Sequence, residues 1–408
     1  MGTDVQVAVI GGGAVGASVL YWLTRLGWTD VMLLERRELT SGSTWHAAGN
    51  TTYFGPYPSM SRLFAGSIRT YLAAQDESGH DIGFHQTGSL RLAASPRERH
   101  FMEGYQANFD ALNIPYRIVE NNDVAALHPL IDTTHTFGAA HTPTDGHVDP
   151  SGVTHAMAKA ARARGAVVER WRPAERIEPK GDHWRIETGK GAISAQHVVM
   201  AASFWTRELL EPLGYDLPLY TTLHHEMITE DAPELAALDH EVPAMRDSYV
   251  SCSVRPEAKG LLIGIYESEP EFWALDGIPK DFAEDLFPAD LDRLMPHLER
   301  LMERMPRFGD LGLKKIVHGA MCFTPDGLPL IGPAAGHPGL WLASGFNVGI
   351  GTGGGAGEVL ARWMVEGQAP TDLPGIYADR FGMGMAMDDA LNAIRHVYAR
   401  GYTLPDHI

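Results

Sequence analysis

Apolar and polar positions at the start of the chain predict a strand, a helix and a second strand in direct succession. Residues 5–10 form a short run rich in β-branched side chains, which is typical of a buried strand. Residues 17–25 have the composition of a helix, and the apolar residues 31–34 predict the next strand. This order indicates the first strand–helix–strand unit of an α/β protein.

Glycines occupy the predicted turn between the first strand and the helix. Gly11, Gly13 and Gly16 follow the spacing G-x-G-x-x-G. The first allows a tight turn, the second lets the backbone approach a pyrophosphate, and the third lets the helix pack closely on the strand. Glu35 ends the second strand, where a carboxylate can bind a ribose diol. The pattern therefore predicts a dinucleotide with its phosphates at the helix N-terminus.

The same alternation of elements returns later in the chain. The next elements are a helix at 151–164, a strand at 165–169, a hairpin at 184–188 and 192–193, a strand at 198–203 and a helix at 205–210. A last unit consists of a strand at 339–344, a glycine-rich segment at 345–357 and a helix at 358–366. Seven glycines in that segment predict that its backbone approaches a flat or phosphorylated ligand.

Two intervening segments have a different pattern. Residues 88–93 alternate as a half-buried strand does, residues 223–229 predict another strand, and 250–255 and 261–266 predict a hairpin. They indicate a mostly antiparallel sheet with helices on one side. We therefore predict an α/β fold in which a Rossmann-like nucleotide-binding domain (1–49, 143–217 and 310–368) is interleaved with an antiparallel-sheet substrate domain (50–142 and 218–309), followed by a helical tail (369–408).

Composition narrows the possible partners. The chain has 408 residues with 33 basic and 51 acidic side chains, a formal charge of −18, which argues against nucleic acid and anionic membranes as partners. Cys252 and Cys322 are too few and too far apart for a disulfide framework, and no spacing suggests a metal site.

Targeting signals are not evident at the start of the chain. Residues 5–23 carry no charge over about the length of a membrane span, but three consecutive glycines interrupt them, so we predict no membrane insertion. Residues 1–4 lack the basic region of a signal peptide. The expected compartment is the cytoplasm.

Three motifs carry a resemblance to a known family. They are STWHAAG at 43–49, TDGHVDP at 144–150 and TPDGLPLIGP at 324–333, and the glycine-rich segment from Gly345 completes the set. The chain resembles the flavin-dependent amine oxidoreductases of the D-amino-acid-oxidase-like fold. Within them it is most similar to the dimethylglycine and sarcosine dehydrogenase group, over about residues 5–400. The resemblance implies FAD as the cofactor of the nucleotide-binding domain.

The resemblance also implies how the cofactor is held. In the family, the histidine at the position of His46 forms a covalent bond to the 8α-methyl group of FAD; the alternative is that His46 contacts the flavin without a bond. Monomeric sarcosine oxidases attach the flavin through a cysteine whose position corresponds to Gly319. The expected cofactor-binding residues are Gly11, Gly13, Ala14, Val15, Gly16, Glu35, Arg36, Gly42, Ser43, Thr44, His46, Ala47, Ala48, Gly49, Ala174, Trp205, Gly345, Gly349, Ile350 and Gly351.

The implied reaction is oxidation of an N-methyl or N-alkyl amine, with hydride transfer to the flavin and hydrolysis of the product iminium, which releases formaldehyde if a methyl group was oxidised. His224 is the candidate for the polar role at the substrate amine. His225 is its neighbour, and only one of the two should face the flavin because neighbouring side chains of a strand point to opposite faces. Tyr266 matches a family tyrosine that could line the pocket.

Some positions depart from the family pattern. Cys252 stands where dimethylglycine oxidases have an active-site tyrosine. The arginine and lysine that hold the substrate carboxylate in monomeric sarcosine oxidases have no counterpart, since Thr352 stands at the lysine position. A carboxylate, if the substrate has one, must therefore be held differently.

The electron acceptor could be oxygen or an electron-transfer partner. Dimethylglycine and sarcosine dehydrogenases continue into a folate-binding domain, and we expect either free release of formaldehyde or a separate folate-binding chain here. Two other functions stay open: oxidation of another secondary or cyclic amino acid, and the role of a flavin-carrying subunit in a larger complex.

Overall fold

A computed structural model describes residues 3–55, 57–382 and 384–404. Positions 1–2 and 405–408 of the predicted first and last segments lie outside the described residues. The strands are β1 (Thr3–Ile10), β2 (Val31–Leu34), β3 (Asn50–Thr51), β4 (Ser89–Leu92), β5 (Arg117–Val119), β6 (Ala139–Thr142), β7 (Gly146–His147), β8 (Val167–Glu169), β9 (Ala174–Lys180), β10 (His183–Thr188), β11 (Ile193–Met200), β12 (Tyr220–Thr229), β13 (Ala244–Asp247), β14 (Cys252–Glu257), β15 (Gly260–Ile265), β16 (Glu271–Trp273), β17 (Leu313–Phe323), β18 (Leu330–Pro333) and β19 (Leu340–Ser344). The α-helices are α1 (Ala14–Arg25), α2 (Pro58–Ser78), α3 (Pro96–Gly104), α4 (Gln106–Ala111), α5 (Asn121–Leu127), α6 (Pro150–Ala163), α7 (Thr206–Leu210), α8 (Pro233–Ala236), α9 (Leu291–Arg304), α10 (Gly349–Glu366) and α11 (Met387–Arg400).

The first sheet has the order β18-β19-β11-β1-β2-β8, and β10 and β9 extend it from β11. Strand β1 lies parallel to both β11 and β2, as expected of a Rossmann-like fold. Helices α1, α2, α6 and α10 bury an apolar cluster on one face of this sheet. The predicted strands at 192–193 and 198–203 are one continuous strand, β11, because its first half pairs with β10 while its second half pairs with β19.

The second sheet has nine strands, in the order β16-β12-β15-β14-β13-β4-β6-β5 with β17 on the other edge of β12. All its pairs are antiparallel except β13 with β4. One face packs against α5, α8 and α9 in an apolar cluster. Its other face is turned towards the first sheet, so the space between the two sheets is the natural place for ligands.

Two predicted domain boundaries differ from the observed packing. Strand β17 pairs with β12 in the second sheet, although residues 310–368 were assigned to the nucleotide-binding domain. Helix α2 packs on α10 and α6 in the first domain, although residues 50–142 were assigned to the substrate domain. The sequence patterns of these two segments do not show which domain each one joins, so tertiary packing decides their membership.

The glycine-rich segment differs from its prediction as a loop that precedes a helix at 358. Helix α10 already begins at Gly349. A Cβ atom at Gly355 would lie 2.3 Å from the carbonyl oxygen of Leu63 in α2, and one at Gly357 would lie 2.1 Å from the hydroxyl of Ser18 in α1. The later glycines therefore serve close packing of three helices, and only the first part of the segment remains for a ligand.

Candidate functional site

A single cavity of about 960 Å³ runs between the two sheets. At one end it is lined by the turn after β1 and by the end of β2, and at the other by β4, β12, β13, β14 and β15. Residues 41–50 and 345–351 form the walls between these ends. The cavity therefore joins the predicted dinucleotide site to the open face of the second sheet.

The turn after β1 has the geometry that its glycines predict. Gly11 has a φ of +116°, a conformation that favours glycine. A Cβ atom at Gly16 would lie 1.9 Å from the carbonyl oxygen of Gly11, so this glycine allows α1 to pack on the turn and does not line the cavity. Ala14 and Val15 at the start of α1 line the cavity, and a helix N-terminus at this place can bind phosphate.

Glu35 closes the dinucleotide end of the cavity. Its carboxylate accepts hydrogen bonds from the backbone N–H groups of Gly12 (2.7 Å) and Arg37 (2.8 Å). Burial raises its pKa, and those two backbone donors counteract the effect. Next to it, the guanidinium of Arg36 lies 4.7 Å from the ring centroid of Trp205. These groups suit a ribose and an adenine ring.

The segment with the STWHAAG motif packs between α1 and β17. The hydroxyl of Thr44 accepts a hydrogen bond from the N–H of Ala14 (3.2 Å), and the hydroxyl of Ser43 donates to the carbonyl of Ala320 (3.1 Å). These bonds hold the segment between the helix N-terminus and the second sheet. As a result, His46 is brought to the centre of the cavity wall.

His46 lies directly against Gly319 of β17. A Cβ atom at position 319 would be 2.5 Å from Cε1 of the imidazole, 2.7 Å from Nδ1 and 2.9 Å from Nε2. No side chain other than hydrogen fits there while the ring keeps this position. Burial lowers the pKa of His46 to about 4, so the imidazole is neutral and nucleophilic at pH 7.

The cavity collects all but one of the expected cofactor-binding residues, the exception being Gly16. Those that line it are Gly11, Gly13, Ala14, Val15, Glu35, Arg36, Gly42, Ser43, Thr44, His46, Ala47, Ala48, Gly49, Ala174, Trp205, Gly345, Gly349, Ile350 and Gly351. Among the described residues, four buried polar atoms of its lining have no hydrogen-bond partner: Oδ1 of Asn50, Nε of Arg91, Nε1 of Trp205 and Oδ1 of Asn347. Such atoms fit a wall that binds a polar cofactor.

His224 faces the cavity from β12, and its hydrogen bonds define its tautomer. The hydroxyl of Tyr398 donates to a carboxylate oxygen of Glu267 at 2.5 Å, so its own oxygen accepts from Nδ1 of His224 at 3.1 Å. Nε2 of His224 is then free to accept a proton. It lies beside Gly264, 3.5 Å from the position of a Cβ atom there.

In this arrangement His224 is neutral and the carboxylate of Glu267 is ionised. Burial lowers the pKa of His224 to about 4. Burial by itself would raise the pKa of Glu267, but hydrogen bonds from His225 and Tyr398, together with His224, bring it to about 2. His224 is therefore a neutral acceptor above pH 4. The hydroxyl of Tyr398 links it to the ionised carboxylate of Glu267.

His225, the other candidate catalytic histidine, does not line the cavity. Its side chain points to the opposite face of β12, where Nδ1 bonds Glu267 (2.9 Å) and Nε2 accepts from the N–H of Asp290 (3.1 Å). Its ring stacks on His318 with 3.6 Å between centroids. This is the alternation of a β-strand, which the sequence predicted without deciding which histidine faces inwards.

Tyr266 does line the cavity, with its ring centroid 4.6 Å from that of His224. Burial raises its pKa well above the ordinary value, so it remains a neutral phenol. Residues 401–404, which follow α11, also line the cavity, and the ring centroid of Tyr402 lies 5.5 Å from that of Tyr266. Nothing in the composition of that tail pointed to a contribution to the site.

Sequence reasoning missed four polar side chains on the cavity face of the second sheet. They are Arg91 on β4, Arg246 on β13, Ser253 on β14 and Glu226 on β12. A signal existed for Glu226, which lies two residues after His224 and so shares its face. The arginines could not be found in the same way, because their strands become neighbours only through the parallel pairing of β4 with β13.

Cys252 and Thr352, two of the positions that depart from the family pattern, do not line the cavity. Cys252 is fully buried in the apolar cluster behind the second sheet, since its neighbour Ser253 is the residue that faces inwards. Thr352 is buried within α10, where its hydroxyl bonds the carbonyl of Val348 at 3.0 Å. Neither position can contact a substrate in the cavity.

Away from the cavity, His85, His147 and Glu241 have possible ligand atoms within 4.8 Å of one another. The two imidazole rings stack, with 14° between their planes. The lone pairs of an imidazole lie in its plane, so nearly parallel rings do not direct them to one point. His85 instead bonds Glu241 at 2.8 Å. Within the described residues, no helix combines the length and apolar character that a membrane span requires.

Comparisons with known proteins identify relatives that are similar over most of this chain. Dimethylglycine dehydrogenase of Mus musculus is 38% identical over 385 residues, which are 92% of this chain and 44% of that protein. Sarcosine dehydrogenase of Homo sapiens is 32% identical, covering 93% of this chain and 42% of that protein. The chain thus spans less than half the length of these curated relatives.

The fold is shared with solved structures. L-proline dehydrogenase from P. horikoshii superposes with a TM-score of 0.80 at 21% identity, covering 93% of this chain and 98% of that one. The family model described as "FAD dependent oxidoreductase" matches residues 6–363, which include both sheets and almost all of the cavity lining. The chain belongs to this family of FAD-dependent oxidoreductases.

Proposed function

We propose that this protein oxidises an N-methylated amino acid or a related secondary or tertiary amine, with FAD as the oxidant. The observation that carries the proposal is the continuity of one cavity from the dinucleotide turn, past His46, to Nε2 of His224. The similarity to dimethylglycine and sarcosine dehydrogenases, whose names give N-methylated glycines as substrates, supports this choice.

The residues around the cavity suit the two halves of FAD. The N-terminus of α1 and Glu35 would hold the pyrophosphate and the ribose, and the segments 42–49 and 345–351 would hold the flavin. Bound FAD supplies the hydride acceptor for the carbon–hydrogen bond next to the amine nitrogen. The protein contributes orientation, exclusion of water and the handling of one proton.

His224 would accept that proton. An amine must lose its ammonium proton before hydride can leave its neighbouring carbon, and Nε2 of His224 is a free acceptor at the cavity surface. The hydrogen bond from Nδ1 to Tyr398, and from there to Glu267, stabilises the imidazolium that forms. The imine product is then hydrolysed by water, which yields formaldehyde when the oxidised carbon was an N-methyl group.

His46 would attach the flavin covalently: an imidazole nitrogen would bond the 8α-methyl carbon, one proton would be lost from each group, and the flavin ring would take up the two electrons until the electron acceptor reoxidises it. The support is its neutral state and its place on the cavity wall. In the unmodified protein, flavin is expected to stay with the polypeptide after denaturation in acid. In His46→Ala it is expected to be released. Release of all flavin from the unmodified protein would contradict this part of the proposal.

The function is tested by anaerobic mixing of the FAD-loaded protein with sarcosine, dimethylglycine and proline while the flavin absorbance is followed. Bleaching by the N-methylated glycines with release of formaldehyde is expected. Bleaching by proline alone would favour a cyclic amino acid as the substrate, and no bleaching by any amine would favour a flavin-carrying subunit. Reoxidation with oxygen or with an electron-transfer flavoprotein then identifies the acceptor.

The role of His224 is tested in the same assay. His224→Gln is expected to slow bleaching by two to four orders of magnitude, which is typical of a lost general base, while FAD content is unchanged. The matched control is His240→Gln, a histidine on the exposed surface. Equal rates in His224→Gln and the unmodified protein would rule out the proton transfer.

A further inference from the structure

The open face of the second sheet carries a row of charged and polar side chains in register. Arg91 pairs with Arg246, and Arg246 with Ser253. Ser253 pairs with Gly264, which in turn pairs with Glu226. Residues in register point to the same face, and all five line the cavity. The row therefore has two positive groups at one end and a carboxylate at the other.

Neither arginine of this row has an anionic partner of its own. Within the described part of the chain, no ion pair involves Arg91 or Arg246. Two carboxylates influence them electrostatically without an ion pair, Glu98 acting on Arg91 and Asp145 on Arg246. Asp145 is already engaged by the hydroxyls of Thr52 (2.7 Å) and Ser89 (2.5 Å).

Other buried arginines of the same domain are paired, so the lack of a partner is particular to the cavity. Arg304 binds the carboxylate of Asp247 at 2.6 Å, and Arg255 binds that of Glu257 at 2.6 Å. Neither of these two arginines lines the cavity. Because a buried charge without a counter-charge is costly, two unpaired guanidinium groups in one cavity indicate that an anion binds there.

Arg91 is also held in place for binding. The guanidinium of Arg91 lies 4.5 Å from the ring centroid of Phe54 and donates from Nη1 to the carbonyl of Tyr402 at 3.0 Å. Its Nε is buried without a partner. Burial and the neighbouring charge of Arg246 lower the pKa of Arg91 to about 10, so the guanidinium of Arg91 remains charged at pH 7.

We propose that Arg91 and Arg246 form the subsite for the substrate's carboxylate, and that the row orients a zwitterionic N-alkyl amino acid with its amine towards His224 and Glu226. This inference rests on the proposed function and specifies the class of amine. Three strand spacings separate Arg246 from Glu226, about 14 Å between their Cα atoms. Both ends of the row line the same cavity, so the carboxylate and the amine have separate places along it.

The first test measures anion binding without turnover. Acetate is titrated into the FAD-loaded protein, and binding is followed by calorimetry and by the shift of the flavin spectrum. Arg246→Met and Arg91→Met are expected to weaken acetate binding on the order of 10- to 100-fold. Arg246→Lys keeps the charge but loses the planar pair of donors, so its affinity for acetate should lie between those of the unmodified protein and of Arg246→Met. The control is Arg117→Gln, an exposed guanidinium on β5 of the same sheet.

The second test separates this inference from the proposed function. Dimethylglycine and trimethylamine differ mainly in the carboxylate, so their rates of flavin bleaching are compared in each variant. The arginine variants should raise KM for dimethylglycine, leave its kcat less affected and leave trimethylamine unchanged. An unchanged ratio of the two amines, or acetate binding equal in all variants, overturns the subsite even if amines bleach the flavin. Arginine-dependent acetate binding without bleaching by any amine supports the subsite and refutes the function.

Discussion

At the scale of single residues, the contact between His46 and Gly319 ties the two domains together. The histidine belongs to a loop of the nucleotide-binding domain and the glycine to β17 of the second sheet. The sequence identified His46 through its motif. It could not identify the need for glycine at 319, because that need arises from a contact between positions far apart in the chain.

Gly319→Ala should therefore impair flavin attachment without touching the histidine. The added methyl group would lie within 2.9 Å of three ring atoms, so the imidazole must move away from its present position. We expect most of the flavin that remains on the denatured protein to be lost, measured as flavin fluorescence on a denaturing gel. Gly104→Ala on α3, where a Cβ atom meets nothing within 4 Å, is the control and should retain it. Full retention in both variants would contradict the contact.

We predict that the burial of His128 makes the stability of the protein depend on pH, independently of the cavity between the sheets. It is fully buried, both ring nitrogens lack partners, and burial lowers its pKa to about 4. Below its ordinary pKa of about 6.5 the unfolded state binds the proton more readily than the folded state, so stability falls as the pH drops from 6.5 towards 4.

His128→Met removes this contribution. The loss of unfolding free energy between pH 7.5 and 5.0 should be smaller than in the unmodified protein by about 2 kcal/mol. Urea unfolding at the two pH values measures it, with His100→Met as the control because that side chain is 91% exposed. If both variants show the same pH dependence as the unmodified protein, the burial of His128 does not act as described.

At the scale of elements, helix α10 shows how glycines can be misread. Its glycines resemble a ligand-binding loop in sequence, yet several of them allow α1 and α2 to approach at backbone distance. Similarly, the alternation along β12 predicts that one of two adjacent histidines faces inwards, but only the packing of α9 and β17 around the strand selects His224. Local sequence patterns predict where an element lies, and the packing of neighbouring elements determines which of its faces is turned to the cavity.

Gly355→Ala tests the packing role of α10. The new Cβ atom would lie 2.3 Å from the carbonyl oxygen of Leu63, which cannot move without shifting α2. We expect a loss of about 1–3 kcal/mol in stability, as for other overpacked cores, measured by urea unfolding. Gly349→Ala, at the start of the same helix, meets only an ordinary contact at 3.6 Å and should be nearly neutral. Equal effects of the two substitutions would refute the explanation.

At the scale of the whole molecule, the cavity is built from both sheets, so a bound cofactor stabilises the complete fold. The prediction is that FAD raises the melting temperature of His46→Ala, in which it binds without a covalent bond. At 100 times the dissociation constant the gain is about 2.7 kcal/mol. Differential scanning fluorimetry measures it.

FMN serves as the matched ligand in that experiment. It lacks the adenylate half that the α1 N-terminus and Glu35 are suited to hold, so it should stabilise less than FAD at equal concentration. Glu35→Gln should reduce the advantage of FAD over FMN. Equal stabilisation by both ligands would show that the dinucleotide end of the cavity is not used.

The sequence by itself determined the class of fold, and most of the residues it predicted to bind the cofactor line the cavity. These depend on interactions that are local in the chain, such as the turn from Gly11 to Gly16 and the carboxylate that ends β2, and on motifs short enough to be read directly. Residues 43–49 and 345–351 could be predicted as a binding site for the same reason.

Tertiary structure alone decided the substrate side of the cavity. Arg91 and Arg246 are 155 positions apart and become neighbours only when β4 and β13 pair in parallel. Whether a charged residue is paired, and whether His224 or His225 faces inwards, depends on groups brought from distant segments. Such contacts are set by the free energy of packing the whole chain, which no local pattern contains.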